Sequence, residues 1–552
     1  MTPPASSRWS SSRLLLGVLL ATGAALRLYS YLADPSLTVD DAMLTVNVAS
    51  RSFAGLLRPL AMEQSAPVGF LWALKAATVV GGVRDPVLRL IPLLAGIALP
   101  YAMWRLARRL LPDGPALLAA AFAALSPILI EYSNSAKPYT VDALVTVLLL
   151  GLTLDTIERP DRARAWRSLG LAGVAAILCS TPAVFTLAGC GAALLIARDV
   201  RTESRTPMRL TAVLAAWLAT FGVIYFSVAR AAATSPYMQA FWDDKFLTPT
   251  ALADVSHAWN ILRRVPAQPF VSASPLPWMP LALWLIALAG LWRAVRRRAV
   301  AAGLIVGPIA ALFAASALHR YPIAPRVCLF LAPGFFLLFA YAYAAVRERW
   351  PAGLGRAAAE TIAALWLIAL AVLAVNFRWW APASRSLVAE FNRRASAGEP
   401  VYLFTGAVAA WTVYSTDWRA ADSSTVSTVI ASQAVSGGAF HNAPSRGRAV
   451  SDTEGSALIV RERGRTAVIG LSPGIQWREG TGYVTREPDP GWAEREAARL
   501  RSVTDSTAWI AIAHDYPGEA LALLRGMDAA GGREVSRWAG HGVLLVRVRF
   551  RH

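Results

Sequence analysis

Hydrophobic positions in this chain fall in long uninterrupted runs, not in the short stripes that mark the amphipathic elements of a soluble domain. Runs near the length of about 20 residues that crosses a hydrocarbon core lie at roughly 13–32, 87–107, 115–133, 138–157, 168–181, 182–198, 209–229, 278–294, 299–318, 326–346 and 357–377. They predict about eleven membrane-spanning helices, the fifth and sixth short and sharing a break at Pro182. The first run, preceded by Arg8 and Arg13, has the form of a signal peptide. With so many spans following, it reads as an uncleaved first helix. Segment 67–82, PVGFLWALKAATVVGG, is apolar but short and carries Lys75, which suits an interfacial or re-entrant helix.

The pattern changes after residue 378. Trp379 and Trp380 stand where an aromatic belt would anchor an interface, and residues 379–398 read as an interfacial linker. From Glu399 the chain alternates short apolar runs with helical periodicity. VYLFTG (401–406), SALIV (456–460), TAVIGL (466–471), AWIAIAH (508–514) and GVLLVRVRF (542–550) predict strands, and 491–501 and 518–530 predict helices. Residues Ser423 to Gly455, rich in Ser, Ala and Gly, read as a loop. The expected fold class is a polytopic α-helical membrane protein with a C-terminal soluble α/β domain. Its parts are a membrane domain over 1–378 with long loops at 33–86 and 230–277, the linker, and the α/β domain over 399–552.

Composition agrees with the pattern: 55% of residues are hydrophobic and only 16% charged. The net charge of +19 raises the question of nucleic acid. The basic residues, however, form short clusters between apolar runs and lack interleaved aromatics, so no nucleic-acid partner is expected. The cysteines, Cys179, Cys190 and Cys328, all lie inside apolar runs and imply neither a disulfide framework nor a metal cluster. His257, His441 and His514 have no metal-ligand spacing around them and read as ordinary surface or core residues.

Arginines set the expected orientation. Arg105, Arg108 and Arg109; Arg159, Arg162, Arg164 and Arg167; Arg198, Arg201, Arg205 and Arg209; Arg293 and Arg296 to Arg298; and Arg347, Arg349 and Arg356 occupy alternate connections, which should be cytoplasmic. The N-terminus is then cytoplasmic, and the C-terminal domain lies outside a plasma (inner) membrane. The other connections hold Asp34, Asp40, Asp41, Glu63, Asp85, Asp243, Asp244 and Asp254, so chemistry is expected on that face.

Three segments on that face carry candidate chemistry. LTVDDAMLTVNVASRSF places Asp40 and Asp41 at a helix start, where Thr38 and both carboxylates would cap free amides. Alternatively, one carboxylate is a general base at the membrane surface. EYSNSAKPYTVDALV brings Lys137 and Tyr139 to a membrane edge. Lysine occurs only at 75, 137 and 245, so Lys137 is either a snorkelling edge residue or a point charge for a phosphate. HRYPIAPRVCLFLAPG sets His319, Arg320, Tyr321 and Arg326 in a tight turn, where positive charge runs against the usual bias and suggests phosphate or lipid-headgroup contact.

Taken together with AMEQSAPVGFLWALK and VLRLIPLLAGIALPYAMWRLARRLL, these segments resemble the GT-C class of membrane glycosyltransferases. The resemblance is to the glycosyltransferase family 39-like group that contains protein O-mannosyltransferases and the lipid A aminoarabinose transferase, and it covers residues 13–350 by layout. It implies a polyprenyl-phosphate sugar donor, an extracytoplasmic lipid, glycan or protein acceptor, and inversion at the anomeric carbon. By match to that group, Asp40 would be the base and Asp41 would orient acceptor or base. By the same match Lys137 and Arg326 would stabilise the departing phosphate, and from the loops they share with these two, Tyr139 and Arg320 are expected to bind the donor phosphate as well. No cofactor is expected and no residue is assigned to a metal; the requirement for a divalent metal is left open by the sequence. Many members carry His before a Pro-Pro pair where this chain has Gln64, Ser65, Ala66 and Pro67. Two other readings use the same basic loops without bond formation: a lipid-linked sugar transporter, and a noncatalytic assembly partner.

Overall fold

A computed structural model describes residues 5–197, 200, 206–270, 276–376, 381–419, 459–462, 465–470, 491–515 and 518–550. Arg198, Arg201, Arg205, Trp379, Trp380, His441, the Ser423–Gly455 loop, residues 456–458 and Leu471 lie outside the described residues. Among the described residues every predicted run is helical, one of them in two pieces. Among the described residues eight helices are long and apolar enough to cross a membrane: Ser12–Leu32, Asp85–Leu110, Tyr139–Glu158, Thr206–Ala233, Met279–Arg297, Ala299–Ala317, Arg326–Arg349 and Leu354–Asn376. The chain is a multi-pass membrane protein.

The three other runs are shorter helices. Run 168–181 is helix Ala163–Cys179, and run 182–198 is Ala183–Ile196. Run 115–133 divides at Ser126 and Pro127 into Asp113–Leu125 and Pro127–Tyr132. A break of this kind leaves carbonyls without partners in an apolar medium. Arg27, fully buried in the first span, meets that need: its guanidinium donates to the carbonyls of Ala124 at 2.8 Å and Ala123 at 2.9 Å, and to Ser133 Oγ at 3.2 Å.

Small residues let the spans approach closely. Where helices Ala183–Ile196 and Ala299–Ala317 cross, a Cβ on Gly307 would lie 2.5 Å from Gly189 Cα. Segment 67–82 forms the 14-residue helix Val68–Gly81. At a rise of about 1.5 Å per residue it is too short to span. Lys75 donates to the carbonyls of Val48 at 3.0 Å and Ala49 at 3.2 Å, closing the C-terminal end of the preceding helix, Val39–Ser50.

The C-terminal domain is a six-stranded mixed sheet between helices. Its strands are β1 (Val401–Leu403), β2 (Ile459–Glu462), β3 (Arg465–Ile469), β4 (Thr507–Ala513), β5 (Gly532–Gly540) and β6 (Val543–Phe550), in the order β2-β3-β1-β4-β6-β5. Strand β1 runs parallel to both neighbours, while the β2–β3, β4–β6 and β5–β6 pairs are antiparallel. Period-two alternation decides the faces. Trp509, Ala511 and Ala513 pack with Leu387, Val388, Phe391, Val408 and Trp411, while Ala508, Ile510 and Ile512 pack with Trp492, Leu500, Leu523 and Met527.

Several features depart from expectation, among them helix Val408–Ser415, which has no counterpart among the predicted elements. Strand β5 was not foreseen, because it is a charged edge strand, REVSRWAG, with little apolar alternation. Within 379–398, residues Ser384–Arg394 form an amphipathic helix that fills one face of the sheet rather than a linker, so the domain's core reaches upstream of Glu399.

Candidate active site

The two ends of the bundle differ in chemistry. Alternate connections meet at one end through arginine–carboxylate pairs: Arg109 with Glu158 at 2.6 Å, Arg298 with Glu158 at 3.1 Å, and Arg297 with Glu348 at 2.7 Å. The opposite end carries the carboxylates of the first loop and the C-terminal domain.

Asp40 and Asp41 lie in the first turn of helix Val39–Ser50. Thr38 caps that helix, accepting the Asp41 N–H at 3.2 Å. The cap is thus met by a hydroxyl, and both carboxylates point to other partners. Asp40 pairs with Arg326, from the turn that opens the span Arg326–Arg349, and each side chain is 34% exposed. Arg326 also lies over the Trp242 ring, 5.6 Å from its centre. Asp41 is buried and accepts from Ser135 Oγ at 2.7 Å. Lys137, also buried, donates to Gln64 Oε1 at 2.7 Å and lies within electrostatic reach of both aspartates. Tyr139 stands edge-on to Tyr132, ring centres 4.7 Å apart, and within electrostatic reach of Arg326 and Asp40.

Five of the six expected site residues therefore come together: Asp40, Asp41, Lys137, Tyr139 and Arg326. Arg320 does not join them. Its side chain is exposed on the turn after His319, which stacks on Phe246 with ring centres 3.8 Å apart. Adjacent sequence position does not bring Arg320 inward, because the backbone reverses at His319, with φ +57°.

The two carboxylates sit in different fields. Burial alone would raise Asp40, but the charges of Arg326, Lys137 and His514 outweigh it and hold the carboxyl at about 2. Burial pushes the Asp41 carboxyl up, against Arg89 and the Ser135 hydrogen bond. Burial likewise lowers the Lys137 ammonium. Such a divided pair, one carboxylate firmly ionised and its neighbour drawn toward its neutral form, is an arrangement suited to acid–base work.

Several participants were not legible as site residues. Gln64 and Ser135 are neutral and carry no motif; their part comes from reaching Lys137 and Asp41. Glu131 buries both carboxylate oxygens without a hydrogen-bond partner among the described residues, within electrostatic reach of Asp41. An acidic residue inside an apolar run was the available signal. His514, read as ordinary, belongs to the C-terminal domain and lies within electrostatic reach of Asp40.

That domain is fastened beside the carboxylates. Arg385 pairs with Asp34 at 2.9 Å and with buried Asp85, while Tyr414 donates to Asp85 at 2.6 Å and accepts the Leu37 N–H at 2.7 Å. Ala409, Ala410 and Val413 pack against Leu37, Ala42, Met43 and Val46 of the loop and helix that carry Asp40 and Asp41. All five non-glycine residues with left-handed backbone among the described residues, Asp34, Met62, Glu63, His319 and His514, belong to this end of the bundle or to the domain docked on it. Backbone strain concentrated in this way is characteristic of functional sites.

Residues 65–226 match the family described as dolichyl-phosphate-mannose-protein mannosyltransferase. The crystal structure of ArnT from Cupriavidus metallidurans bound to undecaprenyl phosphate is similar over 98% of this chain and 98% of that one, at 15% identity and a TM-score of 0.50. Its apo state gives 14% identity and a TM-score of 0.49 over 99% and 98% of the two chains. The Archaeoglobus fulgidus oligosaccharyltransferase in complex with Zn and sulfate is similar at 14% identity and a TM-score of 0.46. That likeness covers 72% of this chain and 61% of the other, so the chain spans about three fifths of that relative's length. No curated protein sequence matches. The family match and the full-length likeness to ArnT bear out the resemblance to the GT-C class and establish its membrane fold, with a C-terminal sheet domain, for this chain.

Proposed function

From the GT-C fold as premise, we propose that this protein is a membrane glycosyltransferase that moves a sugar from a polyprenyl-phosphate carrier to a hydroxyl or amine of a lipid, glycan or protein outside the cytoplasm. The observation that carries the reading is the pairing of Asp40 with Arg326, with Lys137 held alongside by Gln64. These residues come from three separate loops and unite a candidate base with two cations. The family match over 65–226 and the likeness to an ArnT structure holding undecaprenyl phosphate support the donor class.

The chemistry needs a base for the acceptor and positive charge for the leaving group. The acceptor oxygen or nitrogen bonds to the anomeric carbon on the face opposite the phosphate, inverting it. The carbon–oxygen bond to the phosphate breaks, polyprenyl phosphate departs, and the acceptor proton passes to the Asp40 carboxylate. A phosphate is already a weak base and needs no second carboxylic acid, unlike the leaving group of glycoside hydrolysis. Arg326 and Lys137 stabilise its charge, and Tyr139 lines the same end.

In the free protein Arg326 is engaged by Asp40. A donor phosphate drawing on the same guanidinium would raise Asp40 toward a useful basicity only once substrate is present. Asp41, held by Ser135, orients the acceptor or Asp40. A direct test measures transfer from synthetic polyprenyl-phosphate mannose and aminoarabinose in membranes carrying Asp40→Asn. Loss of transfer with intact protein supports the assignment; undiminished turnover removes Asp40 as the base.

A further inference from the structure

The C-terminal domain does more than cover the carboxylate end. Strand β1 lies between β3 and β4, parallel to both, so the chain leaves β1 toward one side of the sheet and later returns to the other. In open α/β sheets the crevice at the carboxyl ends of such strands is where ligands and reactive groups gather. Here β1 ends at Leu403 and β4 at Ala513, and the next residue after β4 is His514.

The local backbone is built around that position. His514 has φ +53°, in the left-handed region that is uncommon for a residue with a side chain. The turn after β1 crowds it: a Cβ on Gly406 would lie 2.5 Å from the Ala513 carbonyl oxygen and 2.6 Å from that of His514, so only glycine fits there. The neighbouring Thr405 hydroxyl is buried without a hydrogen-bond partner among the described residues. Helix Val408–Ser415 follows at once, and its Ala409, Ala410 and Val413 rest on helix Val39–Ser50. The Asp34–Arg385–Asp85–Tyr414 cluster fixes this docking. The crevice is thus held against the helix that carries Asp40, with the imidazole within electrostatic reach of that carboxylate.

We infer that the C-terminal domain completes the site by presenting His514 to Asp40, which makes this imidazole a positioning residue for the acceptor-side carboxylate. The inference rests on the reading of Asp40 as base. Arg326 and Lys137 approach Asp40 from the membrane domain, Tyr132 and Tyr139 lie within electrostatic reach of it, and Asp41 is its neighbour on its own helix. Of the groups within electrostatic reach of Asp40 named here, His514 comes from the C-terminal domain. When a donor phosphate draws Arg326 away, His514 continues to hold Asp40 in place and ionised.

The test uses the full-length protein in detergent with 13C-labelled histidine. His514→Asn, chosen because asparagine tolerates a left-handed backbone, assigns the His514 signal by its loss. His514→Gln serves as a second variant. An adjacent carboxylate favours the charged imidazole, so the His514 midpoint should fall by roughly half a unit or more in Asp40→Asn. A midpoint indifferent to that change overturns the contact. This arm requires no transfer activity, so it stands or falls apart from the glycosyltransferase reading. In the transfer assay with polyprenyl-phosphate mannose or aminoarabinose, His514→Asn should lower kcat about tenfold. The acid limb of kcat should move to higher pH, and KM for the donor should change less than twofold. An acid limb that stays in place overturns the positioning role, whereas no transfer by the unmodified protein strikes at the function itself.

Discussion

Both ends of the helical bundle are laced with arginine–carboxylate pairs, and the contrast between them separates topology from chemistry. At one end Glu158 joins Arg109 and Arg298, and Glu348 joins Arg297, with Arg297 58% and Glu348 43% exposed. These pairs link helix ends in contact with solvent or headgroups, where each contributes little. At the other end Asp41 is buried, Asp85 is 3% exposed, and carboxylates meet hydroxyls and cations from sequence-distant loops. Left-handed non-glycine residues accumulate here and in the domain docked here. Identical residue types thus serve as anchors at one end and as an organised cluster at the other. The buried Asp41 and Asp85 and the left-handed backbone distinguish the second end; the Asp40–Arg326 pair, 34% exposed on each side, is no more buried than Arg109–Glu158 at 25% and 34%.

The comparison breaks most sharply at Asp40. Asp40→Asn should lower transfer from a polyprenyl-phosphate sugar by about 100-fold or more, the scale of a lost general base. Next, Arg326→Ala should cost about 100-fold in kcat and weaken retention of undecaprenyl phosphate, as expected for a cation facing a leaving phosphate. Lipid co-purification and initial rates check both.

Stability effects follow. Arg385→Ala leaves the buried Asp85 carboxylate with Tyr414 alone, and should destabilise the docking of the C-terminal domain by about 1–3 kcal/mol. Faster proteolytic release of that domain, with a lower melting temperature, is the readout. Inside the domain, Glu399 accepts from Trp509 Nε1 at 2.8 Å and Thr507 Oγ1 at 2.9 Å and pairs with Arg547. Burial would raise it, but these partners hold its carboxyl at about 2. A depressed carboxylate contributes stability that is complete above its unfolded value and is lost as pH falls toward the folded one. Glu399→Gln should therefore cost about 1–2 kcal/mol near neutrality, and the melting curves of the two proteins should converge in acid. The smallest effect belongs to the arginine end: Glu158→Gln should change stability by under about 1 kcal/mol and leave transfer within twofold. A large loss of transfer there would erase the contrast between the ends.

Some of this was visible along the chain. The spans were legible because lipid tolerates few charges, so each crossing leaves an apolar run whose length is set by bilayer thickness. Arginines in alternate connections foretold which loops share an end, and the ion pairs between them bear out that grouping. Asp40, Asp41, Lys137 and Arg326 stood out because charged residues beside apolar runs are scarce. Strand β5 and helix Ser384–Arg394 were less legible, since their packing faces are short and their outward faces highly charged.

Residue order and composition by themselves determined that this chain crosses a membrane repeatedly, that one set of loops is basic and the other acidic, and that an α/β domain follows. They also determined the cap at Thr38, a local matter of three residues. Only the tertiary structure decided that Arg326 meets Asp40, that Gln64 holds Lys137, that Arg320 stays outside, and that the C-terminal domain docks on the helix that carries both carboxylates. The physical reason is range. Hydrophobic periodicity and helix capping act over a few residues and are written in local order, whereas a charge's partner depends on which surfaces a fold presses together. The acidic pair that marks one end of this membrane protein is local sequence; its division into a firmly ionised Asp40 and a buried Asp41 is a property of the assembled fold.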